Sequence, residues 1–228
     1  RLLNLFLQSN FPVTIFACAL ALERNPRVVE AIKQHKLDIC CHGWRWIEHY
    51  KLSEEEEREH IRKAVKSLKN LLGERPLGWY CRTGPSINTR RLLIEEGGFI
   101  YDSDAYNDEL PYWLEFSDRA HLVIPYSLTT NDSKFGRGWF STAEDFFQFN
   151  KDAFDLLYEE GKTAPKMMSI GLHQRLMGHP SRAMGLKKFL DYVKNFNDVW
   201  VCNRIDIADH WFKTHPHPLQ PDRSKSRF

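Results

Sequence analysis

The ten residues Cys40–His49, CCHGWRWIEH, contain two histidines and two tryptophans whose spacing bears directly on metal binding. A zinc site on one helical segment needs histidines four residues apart, because that spacing puts both imidazoles on one face. Trp46 stands at that position after His42, and His49 follows three residues later. Seven helical residues would separate the two histidines by about 10 Å, too far for two ligands that each lie about 2.1 Å from one ion. A local metal site is therefore not predicted, and His42 becomes a candidate for proton transfer.

Polar residues also follow several of the other runs that resemble strands. The candidates selected from these positions are His42, Arg82, Asp102, Asp104 and His173. In a parallel α/β barrel the carboxyl ends of all strands open on one face, so residues far apart in sequence can converge there. Two chemistries stay open from the residues alone. The histidines and aspartates could gather around one ion, or a neutral histidine could activate water while Arg82 holds a carbonyl or carboxylate.

Short apolar runs alternate with longer helical stretches along the chain, which favours an α/β fold with a largely parallel sheet. About seven strands are predicted, at 11–19, 37–41, 77–81, 99–104, 121–128, 166–172 and 199–202. A closed or nearly closed barrel is preferred over an open doubly wound sheet. No glycine-rich dinucleotide fingerprint follows a strand, which argues against a Rossmann domain. Because Arg1 opens inside an amphipathic helix, we expect an N-terminal strand to be missing from this chain.

Helix signals are clear at several points. Ser53 with Glu56 predicts a capping box that starts a helix ending at Gly73, and a second box is predicted at Ser141 and Glu144. His60 lies among charged residues of the first of these helices, and we expect it on a solvated face. Residues 1–214 are predicted to form one catalytic barrel domain, and the proline-rich, charged residues 215–228 a mobile tail.

Composition excludes several classes of function. The 228 residues carry a formal charge of +2 and no basic stripe, so no nucleic-acid partner is expected. No apolar run approaches the about 18 residues of a membrane span, so no membrane partner is expected. The five cysteines are odd in number and lie in apolar runs, which fits reduced thiols and a cytoplasmic location better than a disulfide framework.

Several segments together resemble one known family. They are DICCHGWRWIEH, RPLGWYCRTGP, NTRRLLIEEGGFIYDSDAYNDELPYW, HLVIPYSLTTND, KDAFDLLYEEGKTAPKMMSIGLHQRLMGHPSRAMGLKKFLDYV and VWVCNRIDIADHW. In this order they are similar to the allantoinases of the polysaccharide deacetylase superfamily, the urate-degradation type. The resemblance covers nearly the whole chain and implies a distorted (β/α) barrel of about seven strands.

The resemblance also implies roles for individual residues. His42 matches the first histidine of the superfamily's His-x3-His metal motif, and Trp46 stands in place of the second, a replacement that goes with activity needing no metal. Arg82 with Pro85 resembles the arginine–proline motif, and His173 the histidine of the final Leu-His motif. The acidic residues of the superfamily's first motif would precede Arg1.

The expected activity is hydrolysis of the hydantoin ring of allantoin to allantoate, within purine degradation. His42 and His173 are the expected catalytic pair, with Arg82, Trp46, Asp104 and Asp102 binding substrate and no metal or other cofactor. A homo-oligomer, by resemblance a homotetramer, is expected. Two alternatives remain: a zinc-dependent deacetylase of N-acetylated sugars or polysaccharides, and a non-catalytic relative that binds a ureide or sugar.

Overall fold

The computed structural model describes residues 1–222, which fold into two compact units. The sheet unit contains Val13–Ala105, Pro111–Pro125 and the described residues from Asn203 onward. The helical unit contains Arg1–Pro12, Tyr106–Leu110 and Tyr126–Cys202. The single domain predicted for 1–214 stays a prediction, and residues 223–228 of the predicted tail lie outside the described residues.

The sheet unit is built on six strands. They are β1 (Thr14–Ala17), β2 (Asp38–Cys41), β3 (Gly78–Trp79), β4 (Tyr101–Asp102), β5 (Tyr112–Phe116) and β6 (Arg119–Val123). Their order across the sheet is β1-β2-β3-β4-β6-β5, and every neighbouring pair is parallel except β5 with β6. Among residues 1–222 the sheet is open, with β1 and β5 at its edges, so these strands do not form the closed barrel that the sequence favoured. The predicted α/β fold with a largely parallel sheet is confirmed.

The helices that surround these strands belong to the same unit. They are α2 (Ala19–Glu23), α3 (Pro26–His35), α4 (Glu54–Leu72), α5 (Thr89–Glu96), α10 (Arg204–Thr214) and a 3-10 turn at His49–Lys51. The predicted capping box at Ser53 and Glu56 starts α4, and Gly73 ends it with φ +91. Apolar residues of α4, such as Ile61 and Leu68, pack with Trp79 of β3 in a buried core. This core holds the strands whose ends carry the candidate residues.

The helical unit contains α1 (Leu2–Ser9), α6 (Ser133–Gly136), α7 (Ala143–Glu160), α8 (Gln174–Met177) and α9 (Pro180–Val193). Phe146 of α7 packs with Leu186 and Leu190 of α9 in its core. The capping box of α7 uses Thr142 and Asp145, one residue later than the predicted pair Ser141 and Glu144. The hydroxyls of Ser141 and Thr142 are both of the type that caps a helix. Thr142 is the N-cap because its side chain reaches a free N–H group of the first turn.

Two strand predictions were wrong, and one strand was missed. Residues 199–202 form no strand, and residues 166–172 make one isolated bridge, between Gly171 and Asn131. Their apolar character was correctly recognised, but a strand also needs a neighbour for its backbone groups. The unpredicted strand is β5, which pairs with β6 across the two-residue turn Ser117–Asp118.

Candidate active site

His42 follows β2 directly and is held in one tautomer by the next strand. Its Nδ1 lies 2.7 Å from the carbonyl oxygen of Tyr80, and its ring stacks on the Tyr80 ring at 5.2 Å. Because a carbonyl oxygen can only accept, Nδ1 carries the proton and donates it. The lone pair of the imidazole is therefore on Nε2, which is the atom available for proton transfer or for a metal.

Trp46 contacts that lone pair. Its indole Nε1–H donates to His42 Nε2 at 3.0 Å. A zinc ion bound by His42 would need the same lone pair, so the ion and the indole are alternatives at one atom. Within residues 1–222 no three His, Cys, Asp or Glu side chains are grouped so that they could hold a metal ion. The donor set described around His42 does not fit zinc.

Arg82 lies beside Trp46 in the loop that follows β3. Its guanidinium stacks over the Trp46 ring at 4.2 Å and donates through Nη1 to the Trp46 carbonyl oxygen at 3.3 Å. The same nitrogen lies 3.1 Å from Glu48 Oε1. A cation on the face of an indole stabilises both groups, so Arg82 and Trp46 fix each other's position. The structure thus brings together the predicted residues His42, Trp46 and Arg82.

Asp102, at the end of β4, is enclosed in a buried ion-pair cluster. Arg90 donates to both of its oxygens, at 2.7 and 3.0 Å, and His121 Nε2 lies 3.0 Å from Oδ2. Burial alone would raise the pKa of Asp102, but the contacts with His121 and Arg90 outweigh burial and hold that pKa below its usual range. The carboxylate is therefore ionised, and both oxygens are already engaged by protein groups.

Asp104 contrasts with Asp102 although only one residue separates them. Its Oδ1 accepts the backbone N–H of Cys81 at 2.8 Å, while Oδ2 is buried without a hydrogen-bond partner among residues 1–222. Burial, and then the charge of Asp102, raise the pKa of Asp104 to about 8. A carboxyl with its pKa raised in this way is mainly protonated at neutral pH.

His42 and Asp104 are joined through a single peptide group. The C=O of Tyr80 accepts from His42, and the N–H of Cys81, part of the same peptide, donates to Asp104. This arrangement follows from the strand order, since β3 lies between β2 and β4. The two predicted residues thus follow the two strands that flank β3, at the same edge of the sheet, as its parallel strands led us to expect.

In the helical unit, His173 is paired with Asp132. The ring Nδ1 of His173 donates to Asp132 Oδ1 at 2.6 Å, and its backbone N–H donates to Oδ2 at 2.7 Å. The side chain of Asp132 is fully buried, whereas that of His173 is 26% exposed. This pairing leaves Nε2 of a neutral His173 as a proton acceptor and stabilises the imidazolium once it forms. Asp132 was not among the selected site residues; its position at the end of a strand-like run was the available signal.

His49 and His60 lie in a buried cluster instead of the site. His49 Nδ1 pairs with Glu57 Oε1 at 3.0 Å, and the His49 and His60 rings meet edge to face at 4.9 Å. The expectation that His60 is solvated was wrong, since it is 7% exposed. Its spacing from Glu57, Ile61 and Ala64 puts it on the face of α4 that is buried.

Comparison with known proteins agrees with this fold. A family model described as polysaccharide deacetylase matches residues 1–99. A Schizosaccharomyces pombe protein named putative polysaccharide deacetylase is 39% identical over 236 residues, which span 95% of this chain and 73% of that protein. The crystal structure of a probable polysaccharide deacetylase from Pseudomonas aeruginosa PAO1 is 51% identical with a TM-score of 0.91, over 95% of this chain and 73% of that one. The crystal structure of PuuE allantoinase is 50% identical with a TM-score of 0.91, over 95% of this chain and 72% of that one.

The fold therefore matches that of proteins with a polysaccharide-deacetylase-like (β/α) barrel. The class of protein that the fold and the family model indicate is a hydrolase. The chain belongs to the polysaccharide deacetylase family. No helix within residues 1–222 has the length and apolar content required to cross a lipid bilayer.

Proposed function

We propose that the protein hydrolyses the hydantoin ring of allantoin to give allantoate, without a metal ion. The observation that carries the proposal is the hydrogen bond from Trp46 Nε1 to His42 Nε2, which engages the lone pair that a zinc ion would require. The 50% identity to a structure described as PuuE allantoinase supports the substrate. Family membership supports hydrolysis as the class of reaction.

Opening a cyclic amide requires a base that activates water and donors that stabilise the negative charge on the carbonyl oxygen. His173 is suited to the first task because Asp132 holds its Nδ1–H and leaves Nε2 to accept a proton. The imidazolium that forms is stabilised by the Asp132 carboxylate and can return its proton to the departing ring nitrogen. Water adds to the carbonyl carbon, the carbon–nitrogen bond breaks, and the proton taken from water ends on that nitrogen.

His42 has a different environment and hence a different role. Its Nε2 accepts the Trp46 N–H, so His42 can take up a proton there only after that contact opens. In the closed arrangement His42 and Arg82 fix the orientation of the indole. Arg82 is proposed to donate to an oxygen of the substrate. Asp104 is proposed to hold a ureide N–H or a histidine. Asp102 is proposed to support substrate binding through Arg90, which donates to both of its oxygens.

The experiment is to measure allantoate formation from allantoin after exhaustive treatment with a chelator. Turnover that survives chelation is expected, and His173→Ala is expected to reduce it at least about tenfold with the fold intact. Glu159→Ala, an exposed change on α7 of the same unit, is the matched control. Turnover lost to the chelator and restored by zinc contradicts the metal-free mechanism, and unchanged kinetics of His173→Ala contradict its role.

A zinc-dependent deacetylase of N-acetylated sugars is the second candidate. It is favoured by the names of two relatives, the S. pombe protein and a peptidoglycan deacetylase of Helicobacter pylori, the latter 24% identical over 95% of this chain. Stoichiometric zinc in purified protein, with acetate released from chitooligosaccharides, supports this candidate. A non-catalytic relative that binds a ureide or sugar is supported by binding without turnover in either assay.

A cytoplasmic homotetramer that acts on a small molecule, without nucleic acid or membrane as partner, is proposed on the family resemblance. Sedimentation equilibrium of the purified protein tests the oligomeric state. A monomer at micromolar concentration contradicts it.

A further inference from the structure

A buried polar cluster lies directly beneath the turn that follows His42. We define it as the α4 cluster, made of His49, Glu57 and His60, three residues that are at most 7% exposed. The proposed chemistry uses none of them. Buried polar groups are costly unless they are hydrogen-bonded, so what they bind indicates what they do.

His60 binds the backbone of the turn. Its Nε2 accepts the N–H groups of Trp44 and Arg45, both at 3.1 Å. These are the two residues immediately before Trp46, so His60 fixes the backbone from which the indole extends. An imidazole nitrogen that accepts two N–H groups has no proton of its own, which makes His60 neutral with its proton on Nδ1.

Gly43 shows how closely the turn approaches the α4 cluster. A Cβ at this position would lie 3.1 Å from His60 Nε2 and 3.2 Å from His49 Nε2. The residue also has φ +79, a conformation that glycine adopts without strain. The turn therefore rests on both imidazoles, with no side chain between them.

Glu57 connects the same cluster to the loop that follows β3. It accepts from His49 Nδ1 at 3.0 Å and from the hydroxyls of Thr89 and Ser86. Ser86 lies four residues after Arg82, in the loop that carries the guanidinium against Trp46. One turn of α4 thus holds both loops that meet at the indole.

We infer that His60 is a positioning residue: by accepting the Trp44 and Arg45 N–H groups, it sets the turn that brings the Trp46 N–H onto His42 Nε2. Its effect on catalysis rests on the proposed function, whereas its effect on the Trp46–His42 hydrogen bond does not. Glu57 and His49 support His60 by fixing the ring beside it. The residue touches neither substrate nor reacting atoms and acts only through Trp46.

The test compares substitutions of His60 that differ in the acceptor they offer. His60→Gln puts an oxygen near the position of Nε2, His60→Asn puts one closer to the helix, and His60→Leu offers none. Leu68→Ala, a buried change two turns further along α4, is the control for lost stability without loss of the acceptor. His60→Asn keeps the test decisive if His60→Leu does not fold, because it retains a polar group but lacks the reach.

The first readout is the indole ¹H–¹⁵N resonance of Trp46, assigned with Trp46→Phe, which reports the hydrogen bond to His42 directly. We expect this resonance to move toward the position of a free indole in His60→Leu and His60→Asn. It should stay near the wild-type position in His60→Gln and Leu68→Ala. An unmoved Trp46 resonance in both His60→Leu and His60→Asn overturns the inference and leaves His60 as a core residue.

The second readout is kcat and KM for allantoin. His60→Leu and His60→Asn are expected to lower kcat about ten- to hundredfold, as a small misplacement of a site group does, and His60→Gln to restore it. If the Trp46 resonance responds as expected but the wild-type protein does not turn over allantoin, the proposed function fails and the positioning role stands. If wild-type turnover is normal and His60→Asn keeps full kcat, the positioning role in catalysis is wrong.

Discussion

Replacing Asp104 by asparagine should change how the stability of the protein depends on pH. The carboxyl is buried, its Oδ2 has no hydrogen-bond partner among the described residues, and its pKa is raised to about 8. An unfolded chain ionises the same group near pH 3.9, as an ordinary aspartate does, about four units lower. A carboxyl whose pKa is raised by folding costs no stability below pH 3.9 and costs increasingly more as the pH rises toward 8. Asparagine keeps the acceptor for the Cys81 N–H but does not ionise.

The magnitude follows from linkage. Between pH 5 and pH 7 the wild-type protein should lose about 1.4 kcal/mol of unfolding free energy per pH unit relative to Asp104→Asn, or about 3 kcal/mol in total. The buried amide adds donors that lack partners, at a cost of about 1–3 kcal/mol that does not vary with pH. The absolute difference in unfolding free energy between the two proteins is therefore less informative than the change of that difference with pH. Above pH 8 the slope should vanish.

Urea denaturation of both proteins at pH 5, 6, 7 and 8 and constant ionic strength measures this slope. Asp118→Asn is the matched control, because the Asp118 side chain is 82% exposed and the substitution is otherwise the same. Its unfolding free energy should run parallel to that of the wild-type protein. Parallel curves for Asp104→Asn as well would refute the reasoning, because they would mean that Asp104 ionises as easily in the folded protein as in the unfolded chain.

Three further substitutions test other contacts. Asp132→Asn should lower kcat for allantoin by about 10²–10⁴ with an unchanged circular dichroism spectrum, because an amide has no negative charge with which to stabilise the imidazolium of His173. An unchanged kcat would show that the carboxylate only shapes the loop. Burial lowers the pKa of His60 to about 4, so the stability that its neutral form provides is complete above pH 6.5 and declines as the pH falls toward 4. Allowing for solvent screening, the wild-type protein should lose about 1–2 kcal/mol more than His60→Gln between pH 7 and pH 5, and equal losses in urea titrations would contradict this. Gly171→Ala should cost about 3 kcal/mol or prevent folding, because a Cβ would overlap the Tyr126 hydroxyl, whereas Gly136→Ala has open space; similar melting temperatures for the two would be the contrary result.

The parallel part of the sheet was accessible from the sequence because its signals are local. β1 to β4 each lie in an apolar run that the pattern identified, and β6 overlaps another; the candidate residues His42, Arg82 and Asp104 follow β2, β3 and β4. β5 was not accessible in this way. Its pairing depends on the turn at Ser117–Asp118, which lacks the Asn-Gly or Asp-Gly signature of a tight hairpin, and Ser117 there takes φ +48.

Neither the pairing of strands nor the partners of individual side chains followed from local patterns. Residues 166–172 and 199–202 are apolar, but composition does not reveal whether a neighbouring strand exists. The hydrogen bond between His173 and Asp132 joins residues 41 positions apart, and no local sequence pattern predicts it. His60 was the avoidable error, because its spacing from Ile61, Ala64 and Leu68 on α4 already assigned it to the buried face.

The peptide group between Tyr80 and Cys81 makes one side-chain hydrogen bond at each end. Its carbonyl holds the imidazole of His42 and its N–H holds the carboxyl of Asp104, so any rotation of this one plane moves both contacts at once. The two side chains are thus mechanically coupled without touching each other. Substitutions at the two positions should be non-additive in a double-mutant cycle. A change in the loop after β3 that alters the hydrogen bond of His42 to this peptide is expected to alter that of Asp104 as well.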